Sequence, residues 1–136
     1  MSHALSFPQA TPVRRGRPRL IALWVVQIAL AGMFLLAGGS KLLGAPAMVT
    51  LFDTVGIGQW FRYVTGLIEI CSAMALLVPS IAVFGALVLV PTMVGAVATE
   101  LFIDGGSPVP PAVLLLGAAG VVWARRQQLL SHIVRP

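Results

Sequence analysis

The sequence contains few charged side chains. Only 10% of its 136 residues are Asp, Glu, Lys or Arg, whereas a soluble domain has about a quarter. So few charges cannot cover the surface of a soluble core, and 58% of the residues are hydrophobic, with a mean hydropathy of +0.97. A chain of this length suffices for one domain and not for two. We therefore interpret it as an integral protein of the lipid bilayer.

Cysteine and histidine are also scarce. Cys71 is the single cysteine, so the chain forms no internal disulfide and has no CxxC pair for thiol–disulfide chemistry. The histidines, His3 and His132, lie near the chain ends, where they cannot clamp a haem between helices. The sequence shows no metal-ligand spacing, no Gly-rich phosphate loop and no nucleophile–base pair. We therefore expect no metal site, and we expect that the chain is not an enzyme on its own.

The basic residues are concentrated at the two ends of the chain. All of the nine except Lys41 and Arg62 lie before residue 20 or after residue 124. Such residues set membrane topology or meet anionic lipid, so the net charge of +5 does not indicate a nucleic-acid partner. Because cytoplasmic segments carry the excess of Lys and Arg, we expect a multi-pass protein of the cell membrane with both termini in the cytoplasm.

Four long apolar runs predict four transmembrane helices. The runs cover about residues 20–43, 62–79, 81–102 and 109–124. The predicted fold is therefore all-α, a four-helix transmembrane bundle. The chain then divides into a basic flexible tail, a transmembrane domain and a short C-terminal tail, over residues 1–19, 20–125 and 126–136.

Small and polar residues recur at helical spacing within each run. In lipid, helices associate through close approach of small residues and a few polar contacts, so we expect these stripes to face the inside of the bundle. The stripes are Gln27, Ala31, Gly38 and Lys41; Thr65, Gly66, Glu69, Ser72 and Ala73; Gly85, Thr92, Ala96 and Thr99; and Gly117, Gly120 and Ala124.

The connections between the runs are predicted as loops. Residues 44–62 combine Gly, Pro and an acid with apolar side chains, which favours a loop that lies in the membrane interface. Pro79-Ser80 predicts a very short turn, and residues 103–108 are rich in turn formers. Pro91, in the middle of the third run, predicts a kink.

Glu69 is the carboxylate that needs an explanation. It lies about seven residues, or roughly 10 Å, from the outer end of its helix, and a charge in hydrocarbon costs roughly 2.5–3.5 kcal/mol. Three hypotheses remain open: an ion pair or hydrogen bond that joins two helices, a contact to a ligand or quinone, and a proton or ion path. We expect it to lie in a polar intramembrane cluster of Lys41, Glu69, Glu100, Thr65 and Thr99, with Arg62 nearby and Ser72 as a further hydroxyl.

Three stretches of the chain resemble the DoxX-like family of small four-helix membrane proteins. The stretches are GMFLLAGGSKL, FDTVGIGQWFRYVTGLIEICSAMALLVP and GALVLVPTMVGAVATELF. The resemblance covers about residues 25–125. Its markers are Gly39 and Lys41 in the first helix, Gly66 and Glu69 in the second, and Gly95 and Ala96 in the third. Relatives often have a histidine where this chain has Glu100.

The resemblance implies a role in a membrane complex. Some DoxX-type proteins are similar to the membrane subunit of a thiosulfate:quinone oxidoreductase, and others are implicated in complexes that handle oxidative stress. We expect a non-catalytic anchoring or accessory subunit with a membrane or peripheral protein as partner, and self-association into a homo-oligomer stays open. One alternative is a quinone-linked oxidoreductase subunit, with a quinone as the implied cofactor near Lys41 and Glu69. The other is a small transporter.

Overall fold

The computed structural model describes residues 17–134, and this part of the chain is all-α, as predicted. A single π-helical turn, Glu100–Asp104, continues the fourth helix. The six helices are α1 (Arg17–Leu42), α2 (Pro46–Val55), α3 (Gln59–Leu76), α4 (Ala82–Thr99), α5 (Val109–Ala124) and α6 (Arg126–Val134).

The four longest helices pack side by side. α1 lies along α3, α3 along α4, α4 along α5, and α5 meets α1 over a smaller contact. At one end, the Gln27 amide donates to the carbonyl of Leu76 at 2.7 Å and accepts from Arg125 at 2.7 Å, so the start of α1 lies beside the last turns of α3 and α5. We call this the Gln27 end. The last turn of α1 contacts the first half of α3 at the opposite end, which we call the Lys41 end.

Several polar side chains are buried in this structure, and many large apolar side chains are exposed. Gln27, Glu69 and Ser72 are buried, while Leu36 on α1 is 77% exposed and Leu116 on α5 is 72% exposed. Among residues 17–134, two helical segments are long and apolar enough to cross a membrane, α1 and Ala82–Asp104. Large exposed apolar surfaces around polar interior groups are typical of membrane proteins.

A close helix contact joins α1 and α3 through glycines. A methyl group on Gly38 would lie 2.8 Å from the carbonyl oxygen of Gly66, and one on Gly66 would lie 3.1 Å from the carbonyl oxygen of Gly38. The two backbones therefore touch without an intervening side chain, which is how small residues hold helices together in lipid.

The inward stripes of the first two runs are largely those predicted. The buried members are Gln27, Ala31, Gly38, Gly66, Glu69, Ser72 and Ala73. In α5 the predicted stripe is wrong at Gly120, which is exposed. Gly117 does face α1, since a methyl group on it would lie 2.9 Å from Leu30, and Ala124 is half-buried. The buried residues of this helix are Ala118 and Val121. α5 is apolar on all sides, so its sequence contains no polar residue that marks the inner face.

The predicted interfacial loop 44–62 contains a helix instead. Pro46 occupies the first turn of α2, where its missing N–H is not needed. Gly56 ends the helix at φ 80° and donates its N–H to the carbonyl of Phe52, a left-handed ending that glycine adopts without steric penalty. The turn signals therefore mark the ends of α2 rather than an extended loop.

The predicted tails also differ from the structure at their inner edges. α1 begins at Arg17, inside the predicted tail 1–19, and residues 1–16 lie outside the described part of the chain. Most of the predicted tail 126–136 forms α6, which is held by a hydrogen bond from the Gln128 amide to the carbonyl of Pro79 at 2.6 Å.

The glycine contact gives a matched test of this packing. We expect Gly38→Ala to lower the free energy of unfolding by about 1–3 kcal/mol, because the methyl group forces α1 away from α3. Gly39→Ala is the control, since its methyl group meets nothing within 4 Å, and it should be neutral or stabilising by up to about 1 kcal/mol. Unfolding in mixed detergent micelles, followed by circular dichroism, measures both. Equal losses in the two variants would contradict the contact.

Candidate functional site

A cavity of about 810 Å³ lies at the Lys41 end, and it is lined by α1, α2, α3, α4, the π-helical turn and the start of α5. Its walls are mostly apolar, and its size is that of a pocket for a small organic molecule. The five residues expected to form a polar cluster all line it, namely Lys41, Thr65, Glu69, Thr99 and Glu100.

The cavity exists because α4 presents small side chains there. Thr92, Gly95 and Ala96 of α4 line the cavity together with Phe34 of α1 and Phe52 of α2. These small side chains leave space that the aromatic rings do not fill. Pro91 also lines the cavity, and α4 continues as one helix through it.

Lys41 and Glu69 form an ion pair in the cavity wall. The Lys41 ammonium lies 3.0 Å from Oε1 and 2.9 Å from Oε2 of the carboxylate. The Glu69 side chain is 2% exposed and that of Lys41 is 14% exposed. The pair is the one salt bridge among residues 17–134. The contact is of the kind that the first of the three hypotheses for Glu69 describes.

The glycine contact brings the two charged side chains together. Gly38 and Gly66 each precede one member of the pair by three residues, and residues three apart lie on the same helical face. A methyl group on Gly66 would lie 3.1 Å from Cβ of Lys41. The close approach of α1 and α3 therefore places the ammonium within reach of a carboxylate one turn further along α3.

Arg62 lies beside the pair but contacts neither of its charged groups. Its guanidinium donates to the backbone carbonyl of Lys41 and, through Nε, to Oε1 of Gln59 at 2.7 Å. The Gln59 amide in turn donates to Asp53 at 2.7 Å and to the carbonyl of Val49 at 3.0 Å. Arg62 thus joins the end of α1 to α2, and it fixes the helix that closes the cavity.

The hydroxyl groups of Thr65 and Thr99 do not bond to the ion pair. Thr65 donates to the carbonyl of Phe61 at 3.0 Å, and Thr99 donates to that of Gly95 at 2.9 Å. A threonine within a helix has a carbonyl of its own helix in reach, so its proton stays local. Ser72 is buried, but it does not line the cavity.

Glu100 lies on the wall without a partner in the described chain. It begins the π-helical turn after α4 and is partly exposed. No hydrogen bond or salt bridge within residues 17–134 involves its carboxylate. The predicted cluster therefore consists of one ion pair, one separate carboxylate and hydroxyls bonded to their own helices.

This arrangement suits an apolar molecule with a small polar head. An ammonium has three N–H donors, and the two oxygens of Glu69 leave one of them available at the cavity wall. The threonine oxygens keep lone pairs that can accept a hydrogen bond. Among residues 17–134, no group of three or more His, Cys, Asp or Glu side chains could hold a metal ion.

Sequence reasoning missed α2 and its link to α3. Met48, Leu51, Phe52 and Val55 of α2 line the cavity, so the helix is part of the site. Their spacing of three, one and three residues is helical, and this signal was available in the sequence. The flanking glycines and proline favoured a loop, and they outweighed this helical signal in the prediction.

The ion pair gives a second test. We expect Lys41→Met and Glu69→Gln each to lower the free energy of unfolding by about 3–5 kcal/mol, because each leaves a buried group without its partner. The double variant should lose less than the sum of the two by at least about 1 kcal/mol. Detergent unfolding curves for all four proteins measure this coupling. Additive losses would mean that the two side chains do not stabilise each other.

A protein-family comparison agrees with the resemblance predicted from the sequence. The model of the DoxX-like family matches residues 25–122, which run from α1 almost to the end of α5. No curated protein and no solved structure matches the chain. The family match and the two long apolar helices indicate a membrane protein. Because the match spans most of its length, the chain belongs to the DoxX-like family.

Proposed function

We propose that α1, α3, α4 and α5 form a four-helix transmembrane bundle in the cell membrane. The support is the outward apolar surface around buried polar groups. α3 has 18 residues and α5 has 16, which gives about 27 and 24 Å at 1.5 Å per residue, close to the ~30 Å of the hydrocarbon core.

The proposed orientation places both termini in the cytoplasm. The Gln27 end holds the basic residues Arg17, Arg19, Arg125 and Arg126. The four acidic side chains of the whole sequence lie toward the Lys41 end, in or beside α2, α3 and the π-helical turn. Since cytoplasmic segments carry the excess of Lys and Arg, the Gln27 end is the cytoplasmic one.

Within this bundle, the proposed function is that of a non-catalytic accessory subunit of a membrane-associated redox or stress-related complex. Its task is to hold a lipid-soluble quinone. The observation that carries the proposal is the Lys41–Glu69 pair in the wall of a large apolar cavity. A cavity whose walls are mostly apolar, with an available N–H donor on Lys41, fits a molecule with a carbonyl head and a hydrocarbon tail.

The residues present fit a quinone in their chemistry. The remaining N–H of Lys41 would donate to a quinone carbonyl, and apolar side chains of α2 and α4 would surround the ring and tail. A bound quinone supplies the capacity to accept electrons and protons. The protein's residues bind and orient the head, and they exclude water from it. Electrons would then come from a partner protein.

An anchoring role without a ligand is the second candidate, and one observation favours it. Both oxygens of Glu69 already accept hydrogen bonds from Lys41, so the pair is satisfied by itself and joins α1 to α3. In that case a lipid chain fills the cavity, and the surface of the bundle binds a partner protein.

Filling the cavity separates the two candidates. We expect Ala96→Phe to place a ring inside the cavity and to abolish stabilisation by an added benzoquinone with a decyl tail. The wild-type protein should gain about 2.7 kcal/mol when the quinone is at a hundredfold its Kd. Thermal unfolding in detergent, with and without the quinone, measures the shift.

The matched control is Val94→Phe, two residues away on the exposed side of α4. It adds the same ring without entering the cavity, so the quinone should stabilise it as it does the wild-type protein. A wild-type protein that the quinone does not stabilise would reject quinone binding and leave the anchoring candidate.

The orientation is tested by cysteine labelling. In a Cys71→Ser background we expect Ser131→Cys, in α6, to react with a membrane-impermeant maleimide only after the membrane is opened. Gly105→Cys, in the loop before α5, should react in intact cells. Labelling of both positions from the same side would overturn the proposed topology.

A further inference from the structure

A second, smaller cavity lies at the Gln27 end, far from the ion pair. It has a volume of about 310 Å³ and is lined by Arg19, Leu20, Leu23, Ala124, Arg125 and Gln128. It therefore lies between the start of α1 and the junction of α5 and α6. Arg19 and Lys41 are 22 residues apart on α1, which corresponds to roughly 33 Å.

The two arginines of this cavity lack a carboxylate partner within residues 17–134. The salt bridge of the described chain is at the other end, and so are the acidic side chains of the sequence. The guanidinium groups of Arg19 and Arg125 therefore create a positive field in a small cavity, with no internal anion to balance it.

Arg125 is held in place by groups that leave its terminal nitrogens available. Its Nε donates to Oε1 of Gln27 at 2.7 Å, and its guanidinium carbon lies 5.5 Å from the ring centre of Trp24. Gln27 is itself fully buried and bonded to the carbonyl of Leu76. No acceptor among residues 17–134 bonds to the Nη atoms of Arg125. A fixed guanidinium with two free N–H-bearing nitrogens is suited to a phosphate oxygen.

The partial burial of Arg125 also favours the binding of an anion. Partial burial lowers the pKa of its guanidinium, because the charged form loses water without gaining a counter-ion. Arginine nevertheless stays protonated in proteins. The chain therefore keeps a partly desolvated cation at this position, and an external anion would stabilise it.

The apolar side of the cavity distinguishes a lipid from a free ion. Leu20 is 53% exposed and Leu23 is partly exposed, and both lie on α1 next to Arg19. Further along α1, Val26 lies three residues from Leu23 and seven from Arg19, on the same helical face, and it is 42% exposed. A phosphate group bound at the arginines would therefore lie beside an apolar surface, along which the acyl chains of a lipid can pack.

We propose that this cavity binds the phosphate of an anionic glycerophospholipid, with Arg19 and Arg125 as the phosphate ligands and Leu20 and Leu23 against the acyl chains. The site is independent of the quinone proposal, since it lies at the other end of the bundle and shares no lining residue with the larger cavity.

Native mass spectrometry of the detergent-solubilised protein, titrated with phosphatidylglycerol, tests the proposal. We expect Arg19→Gln and Arg125→Gln each to lower the apparent affinity about tenfold, as for the loss of one charge-assisted hydrogen bond. Arg126→Gln is the matched control. It removes the same charge next to Arg125, but its guanidinium lies over the Trp123 ring at 4.3 Å and does not line the cavity. It should change the affinity less than about twofold.

Arg125→Gln removes the hydrogen bond to Gln27 and can therefore weaken folding. Arg19→Gln keeps the test decisive in that case, because no hydrogen bond within the described residues involves the Arg19 side chain. Equal losses in Arg19→Gln and Arg126→Gln would show diffuse attraction and overturn the site. Equal binding of phosphatidylcholine would overturn the requirement for an anionic lipid. Displacement of phosphatidylglycerol by inorganic phosphate at the same concentration would show a site for free phosphate instead.

Discussion

The charge on Glu69 is tolerable inside the packed helices only because the ammonium of Lys41 lies 2.9–3.0 Å from both of its oxygens. That distance depends on the backbone contact between Gly38 and Gly66, which allows α1 to approach α3 more closely than larger side chains would permit. The same approach presents the carbonyl of Lys41 to Arg62, which in turn positions α2. The ion pair and the position of α2 therefore both depend on one close helix contact.

The opposite end is held by different chemistry. There, the amide of Gln27 joins three chain segments through neutral and singly charged hydrogen bonds, and the arginines have no carboxylate partner among residues 17–134. Between the two ends the helices meet through Ala, Leu and Phe side chains such as Ala31, Phe34 and Ala73. Apolar contacts alone discriminate weakly between helix registers in lipid. The two polar ends supply the directional bonds that fix the register.

The buried side of a helix could be predicted from the sequence only where polar residues mark that side. In α1 and α3 the glutamine, glutamate and serine identified the buried side correctly, because an unpartnered polar group in lipid is costly. In α5 no polar residue marks a side, and small residues alone pointed to Gly120, which faces outward. The five candidate residues do line one cavity. The hydrogen-bond partners of these residues could not be predicted. A threonine hydroxyl can donate to a carbonyl of its own helix instead of to a neighbouring helix, and residue spacing alone does not give the distances between side chains. The cavity itself results from a mismatch of side-chain sizes between helices, which no single segment reveals.

The separation in sequence of the two polar connections implies an order of assembly during synthesis. Lys41 and Glu69 are 28 residues apart, whereas Gln27 and Arg125 are 98 residues apart. At roughly 5–20 residues per second, Glu69 follows Lys41 from the ribosome within about 1–6 s, while Arg125 follows Gln27 only after about 5–20 s. A nascent chain that ends before α4 already contains both members of the ion pair and both glycines of the contact. The ion pair at the Lys41 end can thus form before Arg125, the last partner at the Gln27 end, has been synthesised.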